Sequence, residues 1–457
     1  MQSRFLLVTL FLGLLALVAA APSIQKRSFK VERVKNPSFT GRNGPQALAK
    51  AYRKFGMPLP QGLTKALDAQ KTAVKPARRV VPRHRLTNDI SVFLNGPKGH
   101  QKGDHKKGKG QKQHAMPAGG HNATSQATNQ TGSVVATPEN NDVEFLSPVN
   151  IGGQTLNLDF DTGSSDLWVF NTQLDASITA GHTNFDPKQS KTFSLLRGAQ
   201  FLVQYGDGSG AEGIVGTDVV DVGGAVFQKQ AVQLATAVSD QFVQDQNNDG
   251  LMGLAFSKLN TVKPKKQKTF FDNVMGSLSE PVFTVDLKKN ATGSYEFGKV
   301  DASKFKGDLA TIPVNDSQGF WQFSSEKFAV DGGMPHDATK GGQAIADTGT
   351  TLILADPAIV QGYYSKVKGA EDNAQAGGIT IPCDAKLPDL DLDIGGVYMA
   401  RVKGEDINFA PVQGNTCFGG LQATNQGGLG VYGDIFFKSQ FVVFNGGNKT
   451  LQMAEHA

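Results

Sequence analysis

The chain has 457 residues, enough for more than one domain and a sizeable core, and its 53 Gly and 29 Phe with few helix-length amphipathic runs point to a β-rich body. Its formal net charge of +5 hides a partition: residues 1–132 hold 23 Lys and Arg against 4 Asp and Glu, and of the whole-chain 46 and 41 this leaves 23 against 37 for residues 133–457. Only two cysteines occur, Cys383 and Cys417, and no Cys/His cluster has zinc spacing, so neither a catalytic thiol nor a metal is expected.

Residues 1–20 carry Arg4, an apolar run from Phe5 to Val18 and then Val18-Ala19-Ala20, the pattern of a signal peptide cut near Ala20. No later run is long enough to span a membrane, and the tail Asn445 to Ala457 is polar, which a lipid-anchor signal is not. Secretion to the extracellular space is expected in preference to a vacuole. Residues 21–132 form the basic leader. Lys26-Arg27 is a dibasic processing site, Ser28 to Val34 alternates as a strand, and Gly44 to Gly56 reads as a helix with Pro45 near its start and a glycine after its end. Residues 97–132, rich in Gly, Lys, Gln and His, are expected to lack order. Their basic charge lacks interleaved aromatics, so nucleic acid is not an expected partner, and His100, His105, His114 and His121 are weak signs of pH sensing or metal binding.

The body contains one short acidic loop twice: Phe160-Asp161-Thr162-Gly163-Ser164-Ser165 and Ala346-Asp347-Thr348-Gly349-Thr350-Thr351. Each follows a β-prone apolar run, Leu156 to Phe160 or Ala344 to Ala346, so each Asp is expected where a buried strand turns into a loop. Gly163 and Gly349 are expected to supply unusual backbone angles. Ser164 and Thr350 can donate hydroxyl hydrogen bonds back to the carboxylates, and Thr162 and Thr348 are placed to bond across to the opposite loop. A single Asp-Thr-Gly is an ordinary turn; two in matching contexts offer two carboxyls to one site. Like charges that close cannot both ionise, so one proton is shared, and the pair can act as acid and base together on a water and the carbonyl it attacks.

Further along, Phe201 to Tyr205 reads as a strand, Gly206-Asp207-Gly208-Ser209-Gly210 as a turn and Gly213 to Val222 as the returning strand, a hairpin whose tip can act as a lid. Gly208 to Gly213 fits a dinucleotide-binding pattern but opens no helix. Asp245 to Gly250 begins like a calcium loop, yet Phe256 stands where the bidentate Glu belongs. Cys383 and Cys417 are expected to pair in an oxidising compartment. Asn122, Asn129, Asn290, Asn315 and Asn448 are sequons and candidate glycan sites. The pseudo-repeat sets one lobe at 138–312 and the other at 313–457, with Ile312-Pro313-Val314 as the crossing point.

These motifs resemble the pepsin-like aspartic proteases, most closely the secreted fungal members of the aspergillopepsin and penicillopepsin type. The likeness covers essentially all of residues 138–457 and rests on Asp161 to Trp168, Tyr205 to Ser209, Asp347 to Thr351, Leu251-Met252-Gly253 and Val431-Tyr432-Gly433. It implies an all-β, bilobal fold of two pseudo-twofold-related lobes with an active-site cleft between them and a β-hairpin flap. It implies catalysis by Asp161 and Asp347 without a cofactor, a flap tyrosine at Tyr205 backed by a hydrogen bond from Trp168, and a disulfide in the region of Cys383 and Cys417. It implies a monomeric enzyme acting on polypeptides, with its own propeptide as intramolecular inhibitor. In the family a basic leader residue occupies the catalytic pair, for which Lys50 and Lys54 are the candidates. Asp207 departs from the animal pepsins and resembles fungal enzymes that accept lysine before the scissile bond. The alternative on the same fold is a non-catalytic binding or inhibitor protein, which the presence of both Asp residues and Tyr205 disfavours.

Overall fold

The computed structural model describes residues 41–73, 129–139, 142–205, 209–425 and 428–457, all within one unit spanning Val31–Ala457. The signal peptide, Lys26-Arg27, the strand expected over Ser28 to Val34, most of 97–132 including Asn122, and Gly206, Asp207 and Gly208 at the lid tip lie outside the described residues. Strands dominate, and they build the same motif twice. In the first half Gln154–Asp161 runs parallel to Gly250–Gly253, pairing Asp161 with Gly253, and Gly250–Gly253 runs antiparallel to Leu167–Val169. In the second half Gln343–Ala346 runs parallel to Gly430–Tyr432, pairing Ala346 with Tyr432, and that strand runs antiparallel to Ile353–Ala355. A further parallel partner completes each, Ala225–Val238 beside Leu167–Val169 and Leu421–Ala423 beside Ile353–Ala355. Leu156, Leu158 and Phe160 are buried, as are Ala344, Ile345 and Ala346. Strands buried on both faces read as apolar runs, which is why the ends carrying Asp161 and Asp347 are rigid.

The halves are joined by a sheet to which both contribute, in the order Ala310–Pro313, Thr450–Glu455, Gln440–Asn445, Val282–Lys288, Ala291–Phe297 and Gly132–Glu139. Above it Phe283 stacks on Phe444 with centroids 4.5 Å apart, Trp321 meets Phe444 edge-on at 5.2 Å, and Trp321 Nε1 donates to Leu254 O at 3.0 Å. The expected crossing at Ile312 falls in this sheet, where Ile312 pairs with Leu451. The first lobe begins earlier than 138, and residues 129–132 are ordered where no order was expected. Gln130 N donates to Ser277 O at 2.8 Å, Gln130 Oε1 accepts from Val226 N at 2.7 Å, and Gly132 pairs with Phe297. A polar stretch acquires structure here because distant backbone groups need partners.

Two helices of the leader pack on the body. In α1, Gly44–Lys54, Asn43 Oδ1 accepts from Gln46 N at 3.1 Å and Pro45 sits in the first turn. The chain leaves α1 through Phe55 and Gly56, whose φ of 65° suits glycine. Leu48, Ala49, Ala51 and Tyr52 are buried against the body, while Arg53 and Lys54 occupy the last turn, where cations favour the helix dipole. The second helix, α2 (Gln61–Ala73), buries Leu63 and Ala66 against the turn around Ala374 and Gly377.

Candidate active site

Each Asp loop is locked to the other by its threonine. Thr162 N donates to Thr348 Oγ1 at 3.2 Å and Thr348 N donates to Thr162 Oγ1 at 3.0 Å. Thr162 Oγ1 then donates to Ala346 O at 2.9 Å, and Thr348 Oγ1 to Phe160 O at 2.5 Å. Four buried hydrogen bonds in a closed network leave the loops one relative position. Gly163 N donates to Asp161 Oδ1 at 2.8 Å and Gly349 N to Asp347 Oδ1 at 3.1 Å, aiming the carboxyls inward.

The glycines act through space and not through backbone angle. Neither Gly163 nor Gly349 has positive φ, contrary to the expectation from sequence. A Cβ on Gly163 would lie 2.4 Å from Asp347 Oδ1, and one on Gly349 would lie 2.3 Å from Asp161 Oδ1. Each glycine makes room for the opposite carboxylate. The hydroxyls are less symmetrical: Thr350 Oγ1 donates to Asp347 Oδ2 at 2.5 Å, whereas Ser164 Oγ is buried without a well-formed partner.

A leader cation fills the site. Lys54 Nζ donates to Asp161 Oδ1 at 2.7 Å and to Asp347 Oδ1 and Oδ2 at 2.9 and 3.0 Å, its side chain 6% exposed. Burial alone raises both carboxyls; the Lys54 ammonium and its hydrogen bond bring Asp161 below the ordinary value, with the nearby Ser164 hydroxyl the slightest of the lowering influences. Asp347 is pushed up to about 6, by burial first and then by the charge of Asp161, with Lys54 opposing. For Lys54, burial favours the neutral amine, but the two carboxylates outweigh it and its pKa rises. The pair thus has unequal members, with the ionised charge concentrated on Asp161.

Of the two leader lysines named from sequence, Lys54 therefore meets the pair. Lys50, one helical turn earlier, acts instead on the buried carboxyls of Glu144, Asp159 and Asp434. Other leader contacts extend along the body. Tyr52 Oη donates to Ala423 O at 2.5 Å, Phe55 packs edge-on against Phe320 at 5.8 Å, and Arg42 Nη1 donates to Phe409 O at 2.8 Å with Asp142 3.7 Å away.

The lid hairpin joins Ser194–Gln204 to Gly210–Val222, the return strand starting earlier than read from sequence. Tyr205 N donates to Ser209 O at 2.9 Å across the turn, and Trp168 Nε1 donates to Tyr205 Oη at 3.0 Å. Both aromatic residues also touch Phe242, at 4.8 Å from Trp168 and 5.8 Å from Tyr205. Phe242 was not singled out from sequence because its helix, Asp240–Gln244, is too short to show a period. Cys383 and Cys417 form a disulfide with Cα atoms 4.9 Å apart. Of the sequons, Asn129, Asn290, Asn315 and Asn448 are exposed.

Comparison with known proteins agrees with this geometry. The family described as eukaryotic aspartyl protease matches residues 144–456. Aspartic protease PEP3 of Coccidioides posadasii is 46% identical over 439 residues, covering 94% of this chain and 90% of its own length. Aspergillopepsin-1 of Aspergillus flavus is 52% identical, covering 71% of this chain and 80% of its own, and penicillopepsin-2 of Penicillium janthinellum is 49% identical, covering 73% and 84%. With two interlocked Asp-Thr-Gly loops on a doubled β motif, the chain belongs to the pepsin-like eukaryotic aspartyl proteases and is an aspartic endopeptidase, a hydrolase of peptide bonds.

Proposed function

We propose that the chain is the secreted zymogen of an acid-active endopeptidase, in which residues 21 to about 129 are a propeptide that inhibits its own body. The observation that carries this reading is Lys54 between Asp161 and Asp347, where a catalytic water would otherwise stand. Once the leader leaves, the carboxyls share one proton. The ionised carboxyl takes a proton from water, the protonated one donates to the substrate carbonyl, and a non-covalent tetrahedral intermediate forms and collapses. Thr162, Gly163, Thr348, Gly349 and Thr350 hold the pair, with Ser164 free to orient when Lys54 is gone.

Release is coupled to acid in a definite order. Burial holds Asp159 up at about 7, with Lys50 opposing, and Asp347 stands at about 6, so both lose charge before Asp161 as the pH falls. Lys50 and one side of the Lys54 clamp are thereby weakened while the Asp161 contact persists. The apolar run from Phe5 to Val18, the exposed sequons and the disulfide support a secretory route, in an extracellular setting, with glycans on the exposed asparagines.

Extended substrates bind along the cleft under Tyr205, and Gly206, Asp207 and Ser209, which the sequence puts between the two lid strands, are proposed to meet them. Broad preference for hydrophobic residues is proposed, with lysine accepted before the scissile bond through pairing with Asp207. Cleavage of Lys-containing and Phe-containing peptides by wild type and Asp207→Ala tests that pairing; an unchanged ratio ends it. For the main reading, the purified chain is acidified, its new N-terminus sequenced and casein cleavage followed. Wild type should lose residues up to a point between 74 and 130 and become active, and Asp161→Asn should remain inactive. An Asp161→Asn protein that cleaves casein normally would overturn the assignment.

A further inference from the structure

Behind the lid tyrosine lies an arrangement that peptide hydrolysis does not require. Phe242, which touches both Trp168 and Tyr205, rides on the helix Asp240–Gln244, none of whose residues is buried. Ser239 at its start makes no side-chain cap bond; its Oγ accepts from Gly210 N in the lid's return strand at 3.2 Å. The far end is held by His182. Its Nε2 lies 3.3 Å from Val243 O and its Nδ1 lies 2.9 Å from Asn248 O. The ring is 8% exposed and stacks on Phe170 at 3.8 Å with a 9° tilt, and Phe170 in turn packs on Trp168 at 5.8 Å. A closed circuit therefore runs from His182 through Phe170 to Trp168, and through the helix and Phe242 to Tyr205.

Both imidazole nitrogens face carbonyl oxygens, which only accept. A neutral ring has one N–H and one lone pair, so one of the two contacts is always lone pair against lone pair; the imidazolium donates to both. We infer that His182 is a lid-positioning residue that works as the imidazolium, tying Val243 to Asn248 and so fixing Phe242 beneath Tyr205 under the acidic conditions of catalysis. This deepens the acid-endopeptidase reading and rests on it.

The charged surroundings fit. Asp245, on the loop after the helix, acts on the ring in favour of the cation. Asp249 has its oxygens taken by Thr183 N and Asn157 N at 2.6 and 2.8 Å, Asp175 on the ring's own loop caps Ser177 N at 3.2 Å, and Asp240 is exposed. Glu144, at the start of the strand Glu144–Ile151, engages Asp245. Burial lowers the ring below its ordinary 6.5, with the Asn248 and Val243 carbonyls and Asp245 opposing, so the proton arrives only on the acid side. Because the folded value is depressed, that protonation subtracts from global stability below pH 6.5 while it supplies the local bridge.

The test uses the activated enzyme. Nitrogen NMR of labelled imidazoles should show both His182 nitrogens protonated at pH 4 and one at pH 7; a neutral ring at pH 4 overturns the inference. A peptide with a non-cleavable backbone should bind His182→Phe, which keeps the stack and loses both bonds, about 3- to 10-fold more weakly than wild type at pH 4, the scale of one hydrogen bond. The ratio should shrink towards one by pH 7, with His182→Gln, which keeps one donor, in between. A ratio constant across that range marks a purely structural role and sinks the proposal. Should neither variant fold, the titration of wild type still decides. A wild type that fails to cleave casein would sink the functional reading alone, leaving the imidazole signals readable.

Discussion

Replacing Lys54 with Met keeps most of the buried stem and removes the ammonium that satisfies both carboxyls. Three contacts of 2.7, 2.9 and 3.0 Å are lost from a site where Lys54 is 6% exposed and the carboxyls are 1% and 0% exposed. Removing one partner of a buried ion pair costs about 3–5 kcal/mol. Here the orphaned carboxyls recover by sharing a proton and admitting water, so the lower end applies: about 3 kcal/mol, or about a hundredfold in leader affinity. The sign of the pH effect follows from the unequal pair. Lys54 brings Asp161 below 3.8 against a burial that the emptied cleft retains, so this contact is lost only as the pH falls through the depressed value. Lys54 also holds Asp347 down against its burial, so its departure raises Asp347 above about 6; release takes up a proton there, and acid favours it. If release takes up one proton, about 3 kcal/mol corresponds to an upward shift of about two pH units in the activation midpoint. The assay is the appearance of activity on a fluorogenic peptide after timed incubation across a pH series. A Lys54→Met zymogen that stays latent to the same pH as wild type would refute the clamp.

Thr348→Val keeps the shape of the interlock but orphans the buried Thr162 N and leaves Phe160 O only its longer bond from Tyr295 Oη at 3.4 Å, and should cost about 1–3 kcal/mol, read as a lower denaturation midpoint together with a loss of kcat. Replacing Cys383 and Cys417 by Ser opens a loop whose ends are 34 residues apart. The loss should be about 3–4 kcal/mol in urea unfolding, with the active-site pair unaffected at permissive temperature. Trp168→Phe removes the donor to Tyr205 Oη while leaving a smaller aromatic ring in place, and peptide hydrolysis should show KM rising about 3- to 10-fold with a smaller change in kcat.

The doubled Asp loop was legible because it is local: carboxyl, glycine and hydroxyl lie within four residues, on strands whose apolar runs announce burial. The reason for Gly163 and Gly349 was not, since the atom each must avoid belongs to a loop 186 positions away in its partner threonine's network. Helix α1 could be read from Pro45 and Gly56, yet the choice between Lys50 and Lys54 depends on how the helix end enters the cleft, which periodicity does not encode. Residues 129–132 looked like the end of a low-complexity leader, and only their partners at Ser277, Val226 and Phe297 give them structure. His182 and Phe242 carry no motif at all; their meaning arises from carbonyls and rings assembled by the fold.

The central claim is that Asp161 and Asp347 form one device and not two independent sites. Measured as kcat/KM on activated protein, Asp161→Asn and Asp347→Asn should each lose about ten-thousand-fold, and the double variant should be no worse than either, because residues acting as a unit are grossly non-additive. Losses that multiply in the double variant, or substantial activity in either single one, would contradict it.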